Sequence, residues 1–140
     1  MEYINDNFAR KRQLEQRTMR FAVATLQFLD SLPPTNSTRI ICYQLGKSAS
    51  SIGANYREAN GSESRPDFVH KIGIVLKEAK ETEYWLEVLT SLMPQSERLL
   101  DLKAEASEFV RMFLKARKSL LEKDATNGAA NEKMDKCNGK

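Results

Sequence analysis

Four residues have types and spacing that could do chemistry: Ser48, Asn55, Glu58 and Glu81. The first three lie in Ser48-Ala49-Ser50-Ser51-Ile52-Gly53-Ala54-Asn55-Tyr56-Arg57-Glu58-Ala59, which reads as the second half of an amphipathic helix. Ile41, Leu45, Ser48, Ile52, Asn55 and Ala59 follow one another at three- and four-residue steps, so Asn55 falls on the inward stripe. An inward amide without a partner costs about 1–3 kcal/mol. Its usual reward is specificity of register and of oligomer state. If the next helix folds back around Gly61-Ser62, Asn55 approaches the level of His70, and Glu58 that of Arg65 and Phe68. Glu81 then falls opposite Gln44 to Ser48, whose amide and hydroxyls could satisfy it. Two readings stay open: an inward polar cluster near the turn, or glutamates that are simply solvated.

Other site chemistries find no support. His70 is the only histidine, and Asp67-x-x-His70 has no second carboxylate-x-x-His pair of the kind a di-iron bundle needs. The one histidine, near a helix start, and the lack of nucleophile-elbow glycines give no catalytic triad. No glycine loop of the phosphate-cradling type occurs. The expectation is no catalytic residue, no metal and no cofactor. An enzyme built on Glu58 and Glu81 ranks last among the functional readings.

Two further sets of residues point to binding. Arg10, Lys11, Arg12, Arg17 and Arg20 open one helix, and Lys115, Arg117 and Lys118 (with Lys123) close another. In an antiparallel bundle these ends meet, and a positive rim there would contact RNA or DNA phosphates regardless of base sequence. The alternative is that the later cations only complement a helix dipole. Gly46, Ser50 and Gly53 form a face of small residues that admits close approach, either inside the bundle or between copies. Tyr84 and Trp85 flank the inward Leu86 and cannot both face the same core. Leu100, Leu114 and Leu121 also fall off the main stripe of their helix. Large apolar groups on a second face mark an interface.

Helices must position all of these. The first is predicted from about Asn7 to Leu32, with Leu14, Thr18, Phe21, Thr25, Phe28 and Leu32 as its stripe, ended by Pro33-Pro34. Thr35, Asn36 and Ser37 are candidate caps for the second, which runs to about Asn60, where Asn60-Gly61 supplies a left-handed stop. Ser64 caps the third, Pro66 lies in its first turn, Phe68, Ile72, Val75, Ala79, Thr82, Leu86, Leu89 and Met93 form its stripe, and Pro94 follows its end. Ser96 opens the fourth, which carries Leu99, Leu102, Ala106, Phe109, Phe113, Ala116 and Leu120 inward to about Lys123. Residues 124–140 read as a disordered polar tail after a 1–123 helical domain. Short links between long helices imply an all-α, antiparallel, up-down-up-down four-helix bundle.

Composition agrees. A chain of 140 residues with 41% hydrophobic content can bury one core. Its net charge of +3 permits an anionic partner without requiring one. Cys42 and Cys137 show neither pairing nor metal spacing, no stretch is long and apolar enough to span a bilayer, and the N-terminus lacks a signal-peptide core. The expected location is the cytoplasm.

Residues from about Met19 to Leu121 resemble the bacterial four-helix-bundle family known from intervening sequences of 23S ribosomal RNA. The resemblance rests on Gln44-Leu45, Lys47 to Ala59 with its Ser-Ile-x-x-Asn-x-x-Glu core, Phe68, and Lys77-Glu78-Ala79-Lys80-Glu81-Thr82-Glu83-Tyr84-Trp85-Leu86. It implies a small cytoplasmic bundle assembling into a ring, with homopentamers as the known style, and a role largely unassigned. The family pattern often has Gly just after the motif Glu, where this chain has Ala59. A likeness in shape to accessory proteins of diversity-generating retroelements makes nucleic-acid binding an expectation by analogy. The leading expectation is a non-enzymatic ring oligomer with a rim for RNA or DNA. The alternative is a scaffold that binds another protein through apolar helix faces.

Overall fold

The computed structural model describes residues 2–139 and contains four helices: α1 Glu2–Asp30, α2 Asn36–Asn60, α3 Arg65–Leu92 and α4 Glu97–Asn138. Met1 and Lys140, the outer limits of the two expected segments, lie outside the described residues. Each helix packs on its neighbours in chain order and α4 closes back on α1. This is the expected all-α bundle, with no strand among the described residues.

Local chemistry sets the helix ends. Thr35 caps α2: its side chain accepts from the Thr38 amide at 3.2 Å, while Thr38 Oγ1 accepts from the Thr35 amide at 2.8 Å. Ser64 accepts from the Asp67 amide at 3.2 Å, with Pro66 in the first turn, and Ser96 accepts from the Leu99 amide at 3.3 Å. The left-handed stop expected at Gly61 is corrected. Its φ is −94°, and the helix closes by tightening, with the Gly61 amide donating to the Arg57 and Glu58 carbonyls at 3.2 and 3.1 Å.

The core follows the predicted stripes. Leu45, Ile52, Val75, Leu86, Leu99, Phe109 and Phe113 are fully or almost fully buried. Each such side chain contributes about 1.5–3 kcal/mol of transfer free energy. Phe109 meets Phe21 edge-on at 5.3 Å, and Phe113 meets Tyr56 at 5.5 Å. Thr18, Thr25 and Thr82 are buried without penalty, because each hydroxyl donates to a carbonyl four residues back at 2.8–2.9 Å.

The expected tail is the main departure. α4 continues through 124–138, and Arg65 binds Asp124 at 2.6 Å, pinning the start of that segment to the first turn of α3. Beyond Asp124 every described residue is exposed. The extension rests on backbone hydrogen bonds and helix-forming residues such as Ala129, Ala130, Glu132 and Lys133, rather than on burial. Periodicity of apolar residues could not reveal it.

Candidate functional site

The polar motif lies along the α2–α3 seam. Ser48 and Thr82 are buried there, and their hydroxyl oxygens lie within hydrogen-bond distance of one another at 3.0 Å. Ser48 thus holds the inward place that the predicted stripe gave it, and Asn55 does not. Asn55 itself is half-buried at the edge of α2, and its amide donates to the Ser51 carbonyl of its own helix at 2.8 Å. Glu58 is exposed, as is His70. The inward cluster of Asn55 and Glu58 is therefore corrected. At 3.6 residues per turn, Asn55 sits far enough around from Ile52 and Tyr56 to reach the rim of the seam instead of its centre. Glu81 is half-buried and accepts from Trp85 Nε1 at 3.5 Å, on its own helix. Its neighbour Glu78, not singled out from sequence, has its carboxyl pushed up by burial and by the Glu81 charge, with Lys77 and Lys47 partly offsetting this.

The small-residue face is used within the chain. A Cβ on Gly53 would lie 3.0 Å from Thr18 Oγ1 and 3.4 Å from the Thr18 backbone carbon; one on Gly46 would lie 3.4 Å from Leu26. Gly46 and Gly53 are the positions where α1 packs directly onto α2, which corrects their reading as a contact between copies. Ser50 is exposed and donates to the Gly46 carbonyl at 2.6 Å.

Seven of the eight cations fall into three groups, and Lys115 stands outside them. Arg10, Arg17 and Arg20 line one groove with Gln13, Leu14 and Met112, where α1 faces α4. Arg17 donates to both Glu105 oxygens, at 2.6 and 3.0 Å, and lies over the Phe109 ring, so its charge is largely met across the seam. Hydrogen bonding to Glu105 also holds its guanidinium pKa above the usual value. Arg10 pairs with Asp6 at 3.0 Å on the surface. Among the described residues, Arg12, Arg20, Lys115 and Lys118 form no ion pair. Lys11 and Arg12 lie with Arg57 in a second hollow beside Asn60 and Glu15. Arg117 turns the other way and rests against Gly73 of α3, and with Lys118 it flanks exposed Leu114 and Leu121. A single continuous rim is therefore corrected to an α1 groove and separate outliers. The reason is rotational: Arg117 is offset around α4 from the side that bears Glu105 and Met112.

An apolar cavity of about 360 Å³ opens among all four helices, lined by Leu14, Tyr56, Phe68, Ile72, Met112, Phe113, Ala116, Ser119 and Leu120. It shares Leu14 and Met112 with the arginine groove. Burial holds the Tyr56 phenol above its ordinary pKa. Sequence patterning placed Leu14, Phe68, Ile72, Phe113, Ala116 and Leu120 on inward stripes, and spacing cannot show how widely the helices splay.

Of the off-axis apolar residues, Tyr84, Leu100, Leu114 and Leu121 are 46–57% exposed. Trp85 is partly buried against the core and meets Tyr84 edge-on at 5.0 Å. The sequence did not single out the exposed Met19, Val23 and Leu26 of α1 as a face.

The fold and its seams define an antiparallel helical bundle with a groove lined by three arginines. Residues 10–116 match the family described as 23S rRNA-intervening sequence protein, and the chain belongs to that family. It is similar to a protein of unknown function from the S23 ribosomal protein family of Bacteroides thetaiotaomicron, at 32% identity and a TM-score of 0.67, over 74% of this chain and 97% of that one. No functionally curated protein matches the chain. Among the described residues, no helix is long and apolar enough to cross a membrane.

Proposed function

We propose that the chain is a non-enzymatic, homo-oligomeric helical module of the cytoplasm, a ring of five by family resemblance, that engages RNA or DNA phosphates. The observation that carries the reading is the convergence of Arg10, Arg17 and Arg20 in one groove of the α1–α4 seam. Lys115, one turn beyond Met112 on α4, extends the same side. Ring symmetry would repeat the groove once per copy. The exposed apolar residues Tyr84, Leu100, Leu114 and Leu121 supply surface for contacts between copies.

The experiment is light scattering with an absorbance ratio on freshly purified protein, followed by titration with random oligonucleotides at several salt concentrations. An assembly larger than one copy, with affinity falling steeply as salt rises, supports the reading. The double variant R10E/R20E should lower the log–log salt slope by about 0.7–0.9 for each phosphate that is no longer neutralised. Binding that ignores both salt and the substitutions rejects it. The second reading, a scaffold for another protein, is favoured by the Leu114–Leu121 face of α4. A co-purifying protein that disappears in L114S/L121S, with no nucleic-acid absorbance, would select it.

A further inference from the structure

We propose that the apolar cavity lined by all four helices is a binding site for a small amphiphilic anion, an aliphatic or aryl carboxylate with its apolar body inside and its head at the rim. This goes beyond the nucleic-acid reading and does not depend on it.

Three observations converge. First, the volume of about 360 Å³ lies in the range of small-molecule clefts, about 300–1,000 Å³. Second, the lining is almost wholly apolar, with three aromatic rings from Tyr56, Phe68 and Phe113, while the Tyr56 and Ser119 hydroxyls provide the few polar atoms. Such a lining rejects a fully polar ligand, because buried polar groups without partners are costly. Third, cations stand on two sides of the opening. The Lys11 ammonium lies over the Phe68 ring, 5.7 Å from its centroid. On the other side the cavity runs through Leu14 and Met112 into the groove of Arg20, which forms no ion pair, beside Arg10 and Arg17, which are paired with Asp6 and Glu105. Of the neighbouring carboxylates, Glu105 is neutralised by Arg17, and Glu15, which accepts from Asn60 at 3.1 Å, is outnumbered by Lys11, Arg12 and Arg57 in its hollow. An apolar hole with cationic lips selects an anion carrying a hydrophobic tail.

The test uses the full chain and three ligands with the same tail: decanoate, decanol and decyltrimethylammonium. Displacement of anilinonaphthalene sulfonate fluorescence and calorimetry report binding. Decanoate should saturate one site per chain, decanol should bind at least tenfold more weakly, and the ammonium compound should not saturate. A116F, at an exposed edge of the cavity, fills the space and should abolish decanoate binding while the helical melting curve is unchanged. K11E should weaken decanoate roughly tenfold and leave decanol as it was, which keeps the proposal testable if A116F fails to fold. Equal binding of all three ligands, unaltered binding by K11E, or no saturable site overturns it. Closure of the cavity by a second copy overturns it too, and would show as decanoate failing to bind an assembled species.

Discussion

The two seams that flank α1 and α3 differ in how they are closed. Along α2–α3 the helices meet over their full length, with Leu45, Ile52, Ala79 and Leu86 at 0% exposure and the Ser48–Thr82 hydrogen bond inside. Along α1–α4 the contact is narrower, and an ion pair and two cation–ring contacts replace part of the apolar packing; the cavity that all four helices line reaches this seam at Leu14 and Met112. The same chain thus separates stability from accessibility. One seam is dry and specified by interlocking side chains. The other is held by groups that water and solutes can reach. Local opening should begin at the second seam, where few buried contacts resist it.

Truncation should expose this contrast most sharply. Ile52→Ala or Leu86→Ala on the closed side should destabilise by about 2–5 kcal/mol in urea unfolding. Leu14→Ala, at the half-buried cavity wall, should cost about 1 kcal/mol or less, since it removes little area from contact. Equal costs would erase the distinction between the seams. Next in size is Gly53→Val, where added methyls meet the Thr18 side chain and backbone; overpacking of this kind costs about 1–3 kcal/mol. Gly46→Ala is its counterpart. There the new methyl meets only flexible leucine tips at 3.4 and 3.6 Å, so the gain in helix propensity, up to about 1 kcal/mol, should make it neutral or stabilising. A denaturation midpoint that falls for both would show that α1 cannot adjust anywhere along α2. Arg17→Ala should cost only about 1 kcal/mol or less despite its bidentate geometry, because Arg17 and Glu105 are 37% and 33% exposed. That cost should shrink further in high salt.

Much of this architecture was legible in the sequence, and the reasons are local. Proline and serine punctuation placed three of the links, and apolar spacing named most of the buried residues, including the three buried threonines. Rotation around a helix was not legible to better than part of a turn. That is why Asn55 was expected in the core and lies at its edge, while Thr82, on the predicted stripe of α3, proved to be the partner of Ser48. The same uncertainty scattered the cations: Arg17 and Arg117 share a charge and an end of the bundle but face different neighbours. Sequence spacing also says nothing of how far two helices stand apart. Gly53 could be read as a surface for close approach, but not as already filled by Thr18. The cavity beside Leu14 had no signal at all, since its lining is indistinguishable from ordinary core.

The smallest effect separates the rims of the two seams by pH. Glu78 is raised above the usual carboxylate value, first by burial and then by the charge of Glu81. A carboxyl whose folded pKa exceeds its unfolded one favours the fold while protonated. That contribution is complete below the unfolded pKa and is lost as pH rises through the folded value. At neutral pH Glu78 therefore weighs slightly against the closed seam. Glu78→Gln should raise the melting temperature a little at neutral pH, and the advantage should vanish on acidification below the carboxylate range. Glu108, on the open seam's outer side, is lowered instead by its hydrogen bond to Arg111. Its substitution by Gln should be neutral in acid and slightly unfavourable at neutral pH. If the two variants shift in the same direction, the α2–α3 rim is as wet as the α1–α4 rim, and the contrast is confined to the cores of the seams.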